Sequence, residues 1–349
     1  STGAITLNNI TNGIISNFWN WGMLNFNAGS SAVNITGSSV MTQNNFNATW
    51  NLTGIANITG NISSLTGATN TLNINDTANS TISGVLSGAT ILRKSGSSTL
   101  TLTGVNTYTA ATNITAGTLQ IGSAGSLGSG SYAGAIAVAT GSTFRYSSSA
   151  AQTLSGIISG AGALTKDTSG ASTLTLTGVN TYTGATTVSA GTLQIGSAGS
   201  LGSGNYAGAI AVATGSTFRY SSSAAQTLSG IISGAGALTK DTSGASTLTL
   251  SGANTYTGTT TISTGTVTLS GSLNVGAGTV TTSVASGATL NGAGVITAGA
   301  LTHSGVGTFS LTGNNLVGTL SATGTVGALT FNNAQSLTLS AITASTMNI

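Results

Sequence analysis

The chain has 349 residues with 52 glycines, no proline and no cysteine, and its charged residues make up only 3%, against about a quarter in an average globular domain. Without cysteine there is no disulfide, thiolate metal site or cysteine nucleophile, and 39% apolar residues with a mean hydropathy of +0.33 argue against a disordered linker. The net charge of +3 contains no basic cluster beyond Arg93-Lys94, which excludes a nucleic-acid footprint, and no apolar run is long enough for a transmembrane helix. A surface kept soluble by hydroxyl and amide groups points to a secreted protein.

Residues 1–83 form an Asn-rich zone with irregular strand-like segments such as VNITG and NATWNLTG. Its most apolar cluster contains Phe18, Trp19 and Trp21, which either caps the first turn or forms a contact with a partner or a second protomer. Many of its asparagines stand in Asn-x-Ser/Thr sequons, and we read them as ladders of stacked amides rather than as glycosylation sites.

From 84 to 271 the chain is dominated by a repeat. The block from Ser98 returns at Ser172 and begins again at Ser246, an offset of 74 residues. In Thr99-Leu100-Thr101-Leu102-Thr103 leucines and threonines alternate, the period of a half-buried strand. Ile136, Val138 and Thr140 alternate with alanines in the same way. Branched apolar residues followed closely by Gly, at Ile114, Val138, Ile158 and Val188, divide the repeat into three rungs of about 25 residues. Residues 272–349 continue with shorter Gly/Thr/Ala-rich periods. The expected architecture is all-β: one elongated β-solenoid of about 14 rungs, forming a single continuous rod.

Chemistry-bearing side chains are few. The acids are Asp76, Asp167 and Asp241, and the one histidine is His303. Such a set is too thin and too dispersed for a paired-carboxylate site or a calcium site, so neither catalysis nor a metal or other cofactor is expected. His303 is expected to be structural. Lys94, Arg145, Lys166, Arg219 and Lys240 are candidate contacts for anionic glycans. Tyr108, Tyr182 and Tyr256, all in NTYT, are candidates for a sparse aromatic row that contacts a partner, with corner packing as the alternative. Two other functions are weighed. An ice-binding solenoid needs a Thr-x-Thr array on every rung, which the sequence supplies about once in three. A polysaccharide-degrading β-helix needs clustered acids.

The stretch SGAGALTKDTSGASTLTLTGVNTYTGATTVSAGTLQIG, residues 159–196, recurs in weaker form from Ser233 and in part from Ser87. Its combination of G-x-L-x-K, TLTL-x-G-x-NTYTG and x-x-G-T-L resembles the autotransporter-associated β-strand repeat of bacterial type V passenger domains. The resemblance implies a right-handed parallel β-helix, export across the bacterial envelope, and a role in adhesion, aggregation or surface display; host or environmental surface glycans are a separate expectation that rests on the Lys and Arg residues. The start at Ser1 without an apolar leader suggests a processed protein, and the end at Ile349 comes without a membrane barrel. Bare final rungs lead to the expectation of self-association, end to end or laterally.

Overall fold

Period-two alternation of Leu, Ile, Val and Thr, broken by Gly and Ser-Gly, makes short strands that bury one row of side chains. The computed structural model describes residues 49–349 apart from 65–68, 168–171 and 242–245, together with the backbone of Ala4–Asn8, Ile14–Ile15, Met23–Ile35 and Ser39–Met41. Phe18, Trp19 and Trp21 lie outside the described residues. Among the described residues there is no α-helix, and the strands pair in parallel. The fold is the expected all-β solenoid, of about 14 turns. Its contacts divide it into two compact units, Ser1–Leu174 and Thr175–Ile349.

In the first unit one face stacks Asn70–Asn75, Thr90–Lys94, Thr112–Ile114, Ile136–Val138 and Ile158–Ser159. A second face stacks Ser80–Ile82, Thr99–Leu102, Thr118–Ser123, Thr143–Ser148 and Ala163–Lys166. A third includes Ser39–Met41, Ile62–Ser64 and Leu86–Ser87. Each face sends a column of side chains inward. Leu100, Leu119, Phe144 and Leu164 are in register on successive turns, and each has 0% exposure. Burial of that order contributes about 1.5–3 kcal/mol per side chain.

The second unit repeats the arrangement. Thr192–Ser197, Thr217–Ser222, Ala237–Lys240, Thr260–Ile262 and Thr279–Val284 form one face. Gln226–Leu228, Thr247–Leu250, Thr266–Leu269 and Thr289–Gly292 form another, which continues into the first part of Thr308–Thr323. That 16-residue strand serves two faces, its later residues pairing with Val295–Ser304.

The 74-residue repeat is not a whole number of turns. Thr186–Val188 pairs with Ile210–Val212, whereas the corresponding Thr260–Ile262 stacks on Ala237–Lys240 and belongs to a different face. The first unit behaves alike: Leu92 and its counterpart Leu164 lie in separate columns. Each duplicated segment therefore sits one face further round than its predecessor.

One corner is built from glycine because successive turns touch there. A methyl group on Gly230, Gly252, Gly271, Gly294 or Gly313 would collide with the carbonyl oxygen of the glycine one turn before it. No side chain fits that approach. The Gly of the TLTL-x-G-x-N motif is this corner.

Candidate functional site

The lysines of G-x-L-x-K lie in inward columns. Lys94 is stacked between Ile74 and Ile114, and Lys166 and Lys240 follow Tyr146 and Tyr220 in register. All three have 0% exposure, which removes them from any surface open to a glycan. Lys94 Nζ lies 2.7 Å from Asp76 Oδ1 and donates to the carbonyl oxygens of Gly96 and Ala116, the second at 3.2 Å. It thus ties three turns together. In the later copies Ser148 and Ser222 stand where Asp76 stands, two residues beyond the register partner of the lysine. Burial pulls the pKa of Lys166 and Lys240 down, opposed by the neighbouring Asp167 and Asp241.

Those two aspartates face outward. Asp167 accepts from the guanidinium of Arg145 and from the Ser147 hydroxyl, and Asp241 is held identically by Arg219 and Ser221. Arg145 and Arg219 are 45% exposed, yet each is neutralised by the carboxylate of the next turn. Exposed pairs of this kind contribute about 0–1 kcal/mol each.

Tyr108, Tyr182 and Tyr256 are buried to 0%, 0% and 3% exposure, so they present no ring to a partner. Corner packing is their role. The Tyr108 hydroxyl lies 2.7 Å from Thr112 Oγ1, which lies 2.9 Å from the hydroxyl of Tyr132, and the two rings meet edge to face at 5.3 Å. Tyr132 in turn donates to the Ala110 carbonyl. Tyr182, Thr186 and Tyr206 repeat this cluster. Burial pushes the Tyr132 hydroxyl up to about 12. In the third copy Tyr256 keeps its threonine, Thr260, but Val280 stands 74 residues after Tyr206, and a small apolar cavity lined by Tyr256, Thr260 and Val280 remains.

The asparagine two residues after the corner glycine is the least exposed amide of the motif. Asn106 accepts from Leu86 N–H at 2.9 Å and donates to the carbonyls of Gly104 at 2.8 Å and Ser126 at 3.2 Å. Asn254 and Asn315 bond in the same pattern. One side chain therefore satisfies backbone groups on three successive turns, which a buried corner requires. One outward amide pair is present too, with Asn73 donating to Asn51 one turn away.

His303 is structural, as expected. It has 0% exposure, its Nδ1 lies 3.0 Å from Thr282 Oγ1, its ring packs 4.6 Å from Phe309, and its Nε2 has no hydrogen-bond partner among the described residues. Burial holds its pKa down at about 4 from an ordinary 6.5. The unfolded chain therefore takes up this proton first as pH falls. Stability contributed by the neutral ring is complete above about pH 6.5 and is lost on the way to pH 4, a loss of about 3 kcal/mol. Urea unfolding between pH 7 and pH 4 should show this slope, and His303→Leu should remove it.

Two arrangements were not read from the sequence. Arg93 alternates with Leu92 and Lys94, and so points outward where Lys94 points in; strict period-two counting along Ile91-Leu92-Arg93-Lys94 carries that signal. The second is a threonine array. Thr247, Thr266, Thr289 and Thr308 are in register on successive turns, and beside them run Thr249, Thr268, Asn291 and Ser310. Thr268 Oγ1 donates to Asn291 Oδ1 at 2.8 Å, along the column.

Parallel strands stacked turn on turn, with the recurring Lys, Gly-x-Asn and Tyr residues all consumed as internal ties, define a β-solenoid. Its repeat matches the family model described as passenger-associated transport repeat over residues 92–121, 168–195 and 242–269. The adhesin BmaC autotransporter of Brucella suis biovar 1 (strain 1330) is 38% identical to this chain over 214 residues, 53% of this chain and 6% of that protein. The chain thus spans a small part of the length of this curated relative. No solved structure matches it. The repeat places the chain among secreted proteins of the bacterial cell surface.

Proposed function

We propose that this chain is a non-enzymatic, adhesive segment of a surface-displayed passenger. The observation that carries the reading is the fate of the ionisable side chains. All three carboxylates of the chain are taken up in ion pairs between turns, and the outward faces are left to hydroxyls and amides that suit contact more than chemistry. The likeness to a protein named as an adhesin supports it. Beads coated with the chain should attach to glycan-bearing surfaces above bare beads, with no turnover of a polysaccharide panel. Absent attachment, or turnover, would overturn the reading.

Self-association belongs to the same proposal. The second unit carries only Arg219, Lys240 and Asp241, a net charge of +1, so charge repulsion opposes lateral approach of two second units only weakly. Electron microscopy at high protein concentration that shows only separate single particles would refute it.

A second reading, binding to ice, is favoured by the threonine array. Counting along the sequence gives Thr-x-Thr about once in three rungs, but the register places Thr-x-Thr, or Thr-x-Asn and Thr-x-Ser, on four successive turns of one face. Spacings of about 4.8 Å between turns and roughly 6.8 Å along a strand make a two-dimensional lattice of hydroxyls, interrupted by the amide of Asn291. Thermal hysteresis tests this reading, and its absence at millimolar protein disposes of it.

A further inference from the structure

We propose that Arg93 and the asparagines stacked around it form a binding site for anionic polysaccharide on the first unit, a site that rests on the adhesive reading and gives it a position and a ligand class. The chain has six cationic side chains and three acidic ones. Lys94, Arg145 and Arg219 take the three carboxylates, and Lys166 and Lys240 are buried. Arg93 is exposed and has no ion pair among the described residues, and no side-chain carboxylate is left in the chain to give it one. The excess positive charge that reaches solvent on the described faces is therefore concentrated at one guanidinium.

Its surroundings are those of a glycan site. In register on successive turns stand Asn51, Asn73, Arg93 and Asn113, all pointing outward from one flat face. Two surface hollows adjoin the guanidinium. One, of about 420 Å³, runs past Asn113 and Thr115 to Gly160, and the other, of about 300 Å³, runs past Asn73 and Asn75 to Asn51. Each lies within the range of small-ligand sites, about 300–1,000 Å³. Asn73 donates its amide N–H to Asn51. A planar guanidinium binds carboxylate or sulfate through two parallel hydrogen bonds, and amides and hydroxyls on either side serve sugar hydroxyls. A neutral polymer would leave the guanidinium without its anion.

Affinity electrophoresis of the full chain through gels containing polygalacturonate, dextran sulfate or neutral dextran tests the site. Either anionic polymer should retard the chain and dextran should not. Retardation by polygalacturonate alone assigns carboxylates as the recognised group, and retardation by both assigns anionic sugars generally. Arg93→Gln should weaken the interaction by about tenfold or more with an unchanged unfolding midpoint, and Arg93→Lys should retain part of it. No retardation of the unaltered chain, or equal retardation of Arg93→Gln, overturns the site. Bead attachment measured alongside separates the two levels. Attachment that persists undiminished in Arg93→Gln rejects this site and leaves the adhesive reading standing, while loss of attachment by the unaltered chain rejects the adhesive reading itself.

Discussion

Asp76→Asn should destabilise the first unit by about 3–5 kcal/mol, because it leaves the Lys94 ammonium buried without its counter-charge. Both side chains have 0% exposure and lie 2.7 Å apart, so water cannot replace the missing carboxylate. Lys94→Met should be similarly costly, since it leaves Asp76 unpaired and takes donors from the carbonyls of Gly96 and Ala116. The double change Asp76→Asn with Lys94→Met removes both charges and should recover most of the loss, as buried pairs often tolerate joint replacement by neutral groups. Asp76→Ser is expected to be the mildest single change, because the later copies place Ser148 and Ser222 at that position beside their own buried lysines. Urea unfolding, with amide exchange followed over 70–116, reads these effects. Equal stability of Asp76→Asn and the parent would show that the pair does not hold the turns.

Asn106→Leu should cost about 2–3 kcal/mol. Leucine matches the volume but leaves the buried Leu86 N–H without an acceptor, an orphan that costs about 1–3 kcal/mol, while the carbonyls of Gly104 and Ser126 each lose one donor and keep the backbone N–H of Ser126 and of Asn106. Amide exchange should quicken first at Leu86, whose N–H is the group released. Asn106→Asp keeps the acceptor but loses both donors and adds a buried charge, so it should be no milder. A change confined to Asn106's own turn, with Leu86 still protected, would contradict a tie spanning three turns.

Much of this fold is legible in the residues. The alternation in TLTL, the recurrence of Gly near strand ends and the lack of proline all follow from the demands of stacked parallel strands, and the structure pairs Leu100 with Leu119 and Phe144 accordingly. The sites are less legible, for a physical reason. Ionisable and aromatic residues in a repeat invite reading as surface features, but here Lys94 and Tyr108 occupy inward positions because each finds hydrogen-bond partners inside the solenoid. Arg93, the neighbour that does reach solvent, has nothing in its residue type to distinguish it; only its parity does. The threonine array was missed because Thr-x-Thr was counted by repeat, whereas surface rows are assembled by register.

That difference between repeat and register bears on how such a surface can evolve. Copying a 74-residue segment multiplies most of the internal ties, such as the Tyr108–Thr112–Tyr132 cluster and its copy Tyr182–Thr186–Tyr206. It does not multiply a row. A residue useful on one face reappears on the next, so a straight file such as Thr247, Thr266, Thr289 and Thr308 needs substitutions made turn by turn at spacings of 19 and 23 residues. Duplication thus supplies the scaffold cheaply, and any recognition surface on it is the part that selection had to compose separately.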